Sequence, residues 1–519
     1  MSTDDAAPKR RRRRVLIAIG AVLVLLAAAV GVFFATREGN VSNPNVEFRE
    51  EPSPTPAETP SPGETGKGRK APDPVWPLYG YGPERQRYLS VPPTLAPPFR
   101  QVWQRNGKAL LEFPPVMQGK SLYLLSDFGR FMRLDKRNGR VVWERNLGTL
   151  AASTPALAGN RVFATVLERA EGAAGRIVAM NAKTGKILWS DDLDSRSESS
   201  PLVHDGRVFF GTENGTVYAV DQRDGDVDWT FRADGAVKGA LALADGKLFF
   251  GDYAGAVYAL DVDTGKQVWE AKTKGASFGL RSGRFYSTPA AANGRVFIGN
   301  VDGYVYSFAQ SNGELAWRTK TGGYVYGAPA VGPGPGGEPT VFIGSYDGTF
   351  YAMDARSGAI KWTAGGFGRI SGGSQILNDV VYFPDLGNRK TYGLDVETGK
   401  RVFDFRKGGF ATVITDGKTL FLTGYGLIYA LRPRNLAERR KELERARTAA
   451  QERRAQRREL AADCRKRFDR KTFAQRCLRN ARVDRRRALC ARRARDSKGS
   501  KKDRRRKFYR CAVRLNATR

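Results

Sequence analysis

The chain has 519 residues, a formal net charge of +34 and one histidine, His204. A single histidine, placed before the turn-forming pair Asp205-Gly206, leaves almost no material for Ser-His-Asp or Cys-His catalysis, so we predict no catalytic residue. The positive charge is concentrated, because roughly +25 of it lies in about the last 88 residues.

The first predicted element is a transmembrane helix over residues 15–36. Val15 to Thr36 is an apolar run of about 22 residues, which is enough to span a bilayer. Arg10 to Arg14 precede it and favour a cytoplasmic N-terminus, so residues 1–14 are predicted to be cytoplasmic and the rest of the chain extracytoplasmic. A cleaved signal peptide is the alternative, although the run is long and no A-x-A site follows it. No cysteine lies near the run, which excludes a lipoprotein anchor.

Residues 37–75 form the next segment, a predicted linker rich in Pro, Glu, Thr and Ser. Such a composition cannot bury a hydrophobic core, so we expect a disordered, extended spacer. It would hold the folded part of the chain at some distance from the membrane.

A repeated sequence pattern begins after the linker. A hydrophobic pair, a Gly, a second hydrophobic run, D-x-x-x-G and a Trp occur in this order in residues 209–229 and again in residues 249–269. The Trp spacing of roughly 40 to 48 residues is the period of a four-stranded propeller blade. We predict that eight residues at this position pack between blades: Trp103, Trp143, Trp189, Trp229, Trp269, Trp317, Trp362 and Phe403.

The repeat also predicts how the ring closes. The strand around Phe99 to Arg105 has no three strands before it, and the last unit, Ala411 to Leu431, has three strands and no fourth. Together the two pieces make one blade. An N-terminal strand that completes the last blade would remove the open sheet edges.

The repeat resembles a known family, the quinoprotein-type or PQQ-repeat propellers. Their motif A-x-D-x-x-T-G-x-x-x-W is matched here by Ala259, Asp261, Thr264, Gly265 and Trp269. The lead-in from Trp76 to Gly80 is similar too, and the resemblance covers about residues 76–432. It implies an all-β fold, an eight-bladed β-propeller. The family includes alcohol dehydrogenases, envelope assembly scaffolds of the BamB-like lipoprotein branch, and sensor domains, so the resemblance restricts fold more than function.

The enzymes of this family are an alternative that the residues disfavour. Quinoprotein dehydrogenases carry a vicinal cysteine pair beside the cofactor and an acidic cluster for Ca²⁺, whereas residues 76–432 contain no cysteine and no matched acidic triad. Asp261 and Asp263 are interpreted as turn residues. We therefore predict no cofactor and no metal, and keep PQQ-dependent oxidation as the alternative.

The predicted binding surface consists of the segments that join the last strand of one blade to the first strand of the next. These segments cluster at one end of a propeller and contain aromatic and charged residues that are typical binding anchors. The candidates are Phe113, Glu198, Lys238, Arg284, Phe285, Tyr286, Tyr324, Tyr326, Arg369 and Phe410. The alternative, that several of the aromatic residues pack inside the ring, stays open.

Residues 433–519 form an Arg-rich tail whose composition predicts helices. All four cysteines lie there, and helix breaks at Thr472 and around Gly499 divide them into symmetric pairs. Because an extracytoplasmic tail can oxidise, we favour disulfides over a zinc site and predict two: Cys464–Cys477 and Cys490–Cys511. The expected partners of the tail are anionic envelope polymers and lipid headgroups, with nucleic acid as the alternative if the topology is inverted.

These observations predict a membrane-anchored, extracytoplasmic propeller that binds envelope proteins or polymers as a non-catalytic scaffold. A PQQ-dependent dehydrogenase is the alternative interpretation of the repeats. A nucleic-acid-binding protein is the alternative interpretation of the positive charge. The BamB-like branch of the resemblance implies work in outer-membrane assembly, and the transmembrane anchor and the added tail depart from that branch.

Overall fold

The computed structural model describes residues 39–50, 75–168, 174–273 and 283–434, together with Thr448 and Glu452. The chain divides into two compact units, residues 1–433 and 434–519, and the fold below is that of the first. The predicted transmembrane helix, the tail cysteines and nearly all of the predicted tail helix lie outside the described residues. Among the residues described, no helix combines the length and the apolar character that a bilayer span requires.

The strands are numbered in chain order. Four of them come before the first blade: β1 (Val41–Ser42), β2 (Val75–Trp76), β3 (Tyr88–Leu89) and β4 (Phe99–Asn106). Blades 1 to 3 follow: β5 (Val116–Gln118), β6 (Ser121–Leu125), β7 (Arg130–Asp135), β8 (Arg140–Asn146), β9 (Ala156–Ala158), β10 (Arg161–Leu167), β11 (Gly175–Asn181), β12 (Ile187–Asp192), β13 (Leu202–His204), β14 (Arg207–Gly211), β15 (Thr216–Asp221) and β16 (Val227–Arg232).

Blades 4 to 6 continue the same pattern: β17 (Ala242–Ala244), β18 (Lys247–Gly251), β19 (Ala256–Asp261), β20 (Gln267–Lys272), β21 (Ala290–Ala292), β22 (Arg295–Gly299), β23 (Tyr304–Ala309), β24 (Leu315–Lys320), β25 (Ala330–Pro333), β26 (Pro339–Gly344), β27 (Phe350–Asp354) and β28 (Ile360–Ala364). A 3₁₀ turn at Pro335–Gly337 joins β25 to β26. Blades 7 and 8 end the ring: β29 (Gln375–Leu377), β30 (Val380–Asp385), β31 (Lys390–Asp395), β32 (Arg401–Phe405), β33 (Ile414–Thr415), β34 (Leu420–Gly424) and β35 (Leu427–Pro433).

Within blades 1 to 7 the four blade strands lie side by side in sequence order, from the innermost strand at the axis to the outermost strand at the rim. The middle strands are covered on both faces, because each blade packs against a neighbour on either side. In β19 every residue from Ala256 to Leu260 is buried, whereas the outermost strand β20 is largely exposed. Asp261 ends β19 and accepts hydrogen bonds from the backbone and the hydroxyl of Thr264, as expected of a turn residue.

The ring closes through its N-terminal strand, as predicted. β4 pairs antiparallel with β35, with Trp103 opposite Ala430, and becomes the outermost strand of blade 8. The strand order of that blade is therefore β33-β34-β35-β4, with three strands from the end of the propeller and one from its beginning. The eight sheets form an eight-bladed all-β propeller.

Seven Trp residues dock each blade onto the next one. The indole N–H of Trp317 donates to the backbone carbonyl of Ala355 at 2.9 Å, and the other six make the equivalent bond to the following blade. Each ring also covers a glycine in the hairpin it reaches. A methyl group on Gly358 would lie 2.7 Å from the Trp317 ring, and the φ of +75° at Gly358 further favours glycine.

Phe403 occupies the eighth position because blade 8 is built differently. In the other blades a hairpin joins the third and fourth strands and receives the indole, whereas in blade 8 these strands are β35 and β4, which come from opposite ends of the propeller. Phe403 instead contacts Phe99 at the start of β4, with ring centroids 5.6 Å apart. The exception in the repeat therefore marks the point of closure.

Residues 39–50, which we name the strap, lie on the propeller and so differ from the disordered linker predicted for 37–75. β1 pairs with β24, the outermost strand of blade 5, and Val46 is buried in the core between blades 5 and 6. The buried guanidinium of Arg295 donates to the carbonyls of Val46 and Glu47. Composition does not reveal these contacts, because they come from backbone groups and one small apolar side chain.

Residues 75–91, which we name the plug, run inside the ring. β2 and β3 extend the innermost edges of blades 1 and 7. Carbonyl groups of the plug accept hydrogen bonds from one backbone N–H on the innermost strand of each of five blades: Leu157, Leu243, Ala291, Val331 and Ile376. The fully buried Arg85 donates to the carbonyls of Ser200, Pro201 and Leu241 in blades 3 and 4. Because the innermost strands surround the axis, the plug fills the central channel.

Candidate binding site at the channel mouth

A cavity of about 330 Å³, which we name the mouth, opens at one end of the central channel. Its walls are formed mainly by the segments that precede the innermost strands, and Tyr79 of the plug contributes to its floor. The innermost strands run away from the mouth, so the hairpins that end them lie on the opposite face. Six of the ten predicted surface residues line it: Phe113, Glu198, Lys238, Tyr286, Tyr326 and Phe410.

The other four predicted surface residues lie outside the cavity. Tyr324 is 55% exposed and contacts Tyr326 at the rim, with ring centroids 6.1 Å apart. The guanidinium of Arg284 lies 5.4 Å from the ring centroid of Tyr253. Arg369 is exposed.

Phe285 requires a correction, because it is buried and not part of a surface. It lies in the core between blades 4 and 5, where a methyl group on Gly251 would lie 2.4 Å from its Cβ. Adjacent side chains of an extended segment point in opposite directions. Tyr286 therefore faces the mouth while Phe285 faces the core.

A network of charged groups forms one wall of the mouth. The ammonium of Lys238 is 2.8 Å from carboxylate oxygens of both Glu198 and Glu213. Burial opposes protonation of Lys238, yet the two carboxylates outweigh it and raise its pKa. Tyr286 donates its hydroxyl to Glu198 at 3.0 Å, and burial together with Glu198 raises the pKa of that tyrosine, so it stays a neutral donor.

Glu112 lines the same cavity and has a different environment. Its carboxyl has no hydrogen-bond or ion-pair partner among the residues that the structure describes. Burial, with smaller contributions from the nearby charges of Asp127 and Glu198, raises its pKa to about 7. Glu112 therefore changes its charge near neutral pH.

Tyrosine rings form the wall that blades 4 to 6 contribute. The ring centroids of Tyr286 and Tyr326 are 5.8 Å apart, and those of Tyr326 and Tyr346 are 4.7 Å apart. Tyr253 extends the row, 6.2 Å from Tyr286. These rings give the mouth a large aromatic surface with hydroxyl groups at its edge.

The floor of the mouth is held by two buried arginines of the plug. The guanidinium of Arg87 lies 4.7 Å from the ring centroid of Tyr79, and it donates to the carbonyls of Arg85 and Pro329. Burial lowers the pKa of both arginines, and the charge of Arg87 helps to lower that of Arg85 to about 9. The Tyr79 ring is thus fixed from below by groups that reach several blades.

A scan against family models matches the family described as outer membrane protein assembly factor BamB, over residues 99–174, 165–332 and 301–461. These ranges cover more than half of the chain. The chain belongs to this family. The match begins at β4, the closing strand, so the strap and the plug precede the part that the BamB family model recognises. No match was found among the curated proteins.

Solved structures similar to this BamB-family chain include a BamB and several alcohol dehydrogenases. BamB from Moraxella catarrhalis has a TM-score of 0.52 and 16% identity, over 64% of this chain and 100% of that one. A quinohemoprotein alcohol dehydrogenase from Comamonas testosteroni has a TM-score of 0.55 and 15% identity, over 70% of this chain and 81% of that one. A europium-containing methanol dehydrogenase has a TM-score of 0.57 and 13% identity, over 69% of this chain and 98% of that one. At such identities the likeness shows the fold alone.

The mouth of this BamB-family propeller presents two carboxyl groups, those of Glu112 and Glu198, and the ammonium of Lys238. Residues 39–434 contain no cysteine. Within the described ranges, no group of three or more His, Cys, Asp or Glu side chains is placed to hold a metal ion. His204 is exposed at the end of β13, on the face opposite the mouth.

Several residues in or next to the mouth were not among the sequence candidates. Tyr346 lies in the turn G-S-Y-D-G at 344–348, and Tyr253 lies in the similar turn G-D-Y-A-G at 251–255. The repetition of this turn was a usable signal, because turns between second and third strands end on the same face as the mouth. Glu112 lies in the predicted segment between β4 and β5, next to the candidate Phe113, whereas Tyr79 belongs to the plug and has no comparable signal.

Proposed function

We propose that this protein is a non-catalytic scaffold of the cell envelope, and that its propeller binds a partner protein through the mouth. The observation that supports this most is the mouth itself. Aromatic side chains surround this cavity, the plug closes its floor, and polar groups lie at its edge. Aromatic anchors within a polar rim are typical of protein-binding sites. The family's description as an outer-membrane assembly factor supports an envelope protein as the partner.

The strap crosses the rim of blade 5 from the mouth side to the opposite face. Asn40 accepts a hydrogen bond from the backbone N–H of Lys320, the last residue of β24, and the segment that follows β24 leads to the mouth. Arg49 donates its backbone N–H to Asn293, in the hairpin between β21 and β22, and pairs with Asp245 in the hairpin between β17 and β18, both on the face opposite the mouth. A chain that comes from a transmembrane helix over residues 15–36 therefore reaches the propeller at the outermost strand of blade 5, on the side of the mouth.

We expect the propeller to be accessible from outside the cytoplasm. The arginines at 10–14 favour a cytoplasmic N-terminus, so protease added to spheroplasts should digest the propeller while a tag at residue 1 stays protected. A cytoplasmic protein assayed in the same tubes controls for lysis. Full protection of the propeller until detergent is added would contradict this topology.

Site-specific crosslinking tests the binding function. A photoreactive amino acid in place of Tyr326, in the mouth, should form an adduct with one envelope protein in living cells. The matched control replaces Val227, which is 56% exposed on the outermost strand of blade 3 and far from the mouth. Adducts at 326 that disappear in the Tyr286→Ala variant, and none at 227, are the expected result.

One outcome of the crosslinking experiment would contradict the proposal: equal adducts at both positions would show that the mouth is not the binding surface. A separate assay tests catalysis, in which the purified chain is mixed with PQQ and Ca²⁺ and assayed for quinone absorbance and dye-linked alcohol oxidation. Oxidation at rates above a heat-denatured control would favour the dehydrogenase reading, which the fold likeness to methanol dehydrogenase keeps as the second candidate.

For the tail we propose a stapled cationic module that binds anionic envelope polymers or lipid headgroups. Its support is the sequence alone: an Arg-rich composition and four cysteines placed symmetrically about two helix breaks. Peptide mapping without reductant should find Cys464–Cys477 and Cys490–Cys511, and a Cys464–Cys511 link would contradict the pairing. Binding to anionic vesicles should weaken steeply with salt, because screening shortens the range of the charges.

A further inference from the structure

We propose that the mouth binds a cationic side chain of the partner protein, a lysine or an arginine, with Glu112 as the counter-ion and the aromatic residues as the walls. This inference rests on the proposed protein-binding function and names the chemical group that the site selects. It follows from the charge balance of the mouth, from a second unpaired polar group beside Glu112, and from the cations that its aromatic rings already contact.

The charge balance leaves one carboxyl group over. Lys238 bridges Glu198 and Glu213, and the guanidinium of Arg196 lies 3.8 Å from Glu213, so these two carboxylates have two cations. Glu112 has none among the described residues. Glu112 is partly buried, and removal from water disfavours a carboxylate that has no cation, so Glu112 gains most from a cation brought in by a ligand.

A second polar group without a partner lies in the wall of the mouth. Thr412 lines the mouth from blade 8 and is 3% exposed, and its buried hydroxyl makes no hydrogen bond within the described part of the chain. Glu112 lies in the wall of blade 1, next to blade 8 in the ring. A lysine ammonium or an arginine guanidinium carries several N–H donors, and these can serve the carboxylate of Glu112.

The aromatic rings around the mouth already hold cations of the protein itself. The ammonium of Lys238 lies 5.5 Å and the guanidinium of Arg284 lies 5.4 Å from the ring centroid of Tyr253. The faces of tyrosine and phenylalanine attract cations through the charge distribution of the ring. Phe113, Tyr286 and Phe410 line the cavity with Glu112 and offer the same chemistry to a ligand.

The volume and the negative charge of the mouth exclude other ligands. A volume of about 330 Å³ is at the lower end for ligand pockets and suits one long side chain. An anionic group would face Glu112 and Glu198 with only Lys238 near by, and Lys238 is already engaged by two carboxylates. A purely apolar group would leave Glu112 unpaired.

The inference predicts a pH dependence. The groups that face Glu112 are Asp127 of its own blade, Glu198, Lys238 and Tyr286, and among these burial and the two carboxylates raise its pKa to about 7. The cation binds the ionised form, so affinity should be nearly constant above pH 8 and fall about tenfold per pH unit below about pH 6.

Ligand-observed NMR on the full chain tests the proposal, with Nα-acetyl-arginine amide as the probe and Nα-acetyl-citrulline amide as its neutral isostere. The arginine probe should bind, and the citrulline probe should bind at least about tenfold more weakly. Glu112→Gln should abolish that preference, whereas Glu144→Gln, a change on the outermost strand of blade 1, should preserve it. Equal binding of the two probes, or a preference that survives Glu112→Gln, would overturn the inference.

The fold and the scaffold function have separate readouts. Glu112→Gln removes a partly buried charge that has no cation among the described residues, so its melting temperature should match or exceed that of the parent chain, and any lost binding is then not unfolding. If the Tyr326 crosslink persists in Glu112→Gln while both probes bind equally, the cation site is wrong and the scaffold function stands. If the crosslink is absent in the parent chain while the arginine preference is present, the scaffold function is wrong and the cation site stands.

Discussion

A chain that begins at residue 111 will not fold into the eight-bladed ring. This truncation removes β4, so β35 is left as an open edge in the last blade. It also removes Trp103, which docks blade 8 onto blade 1 through Lys136 and Gly139. The plug is lost as well, and with it the hydrogen bonds that join the innermost strands.

The measurement is thermal unfolding followed by circular dichroism, together with size-exclusion chromatography. The matched control is a chain that begins at residue 75, which loses the strap and keeps both the plug and β4. We expect a cooperative transition from the control and aggregation or a non-cooperative transition from the shorter chain. A shorter chain that is monomeric and melts at the control's temperature would show that β4 does not close the ring.

The Trp317→Ala variant should lose about 3–5 kcal/mol of unfolding free energy, the usual cost of deleting a large buried aromatic side chain. Trp317 is fully buried, its indole N–H bonds to Ala355, and its ring covers Gly358 in the next blade. Its removal opens a cavity between blades 5 and 6, where the strap residue Val46 also packs. Urea denaturation of both chains gives the difference.

Two related variants show whether the docking contact is responsible. Trp189 occupies the same position in blade 2 but is only partly buried, so Trp189→Ala should cost less than Trp317→Ala. Trp317→Phe keeps most of the buried area and loses the N–H donor, so its cost should be about 1–3 kcal/mol. Equal losses from all three variants would mean that burial between blades does not decide the stability.

The propeller was predictable because its sequence signals are local and repeated. A Trp recurs at the same position in seven of the eight blades, and the missing strands at the two ends together indicated the closure. Even the exception at Phe403 has a local cause, since the hairpin that would receive an indole is replaced by β35 and β4.

The strap, the plug and half of the mouth were not predictable by the same logic. The plug binds through backbone carbonyl groups, which every residue carries, so the sequence of residues 75–91 contains no period that indicates its position. Glu112 lies next to the predicted residue Phe113, but its sequence position does not show its environment, because that depends on side chains of other blades. Phe285 was misplaced because two adjacent aromatic residues, on a short extended segment, face opposite sides.

The plug determines what kind of object can reach the mouth. Because the chain's own residues occupy the axis beneath Tyr79, the ring is a blind well and not a tunnel. A strand or a polymer cannot thread through it, and a ligand must enter and leave by the same opening. Each propeller therefore admits one projecting side chain or chain end at a time, so the stoichiometry of binding at the mouth should be one to one.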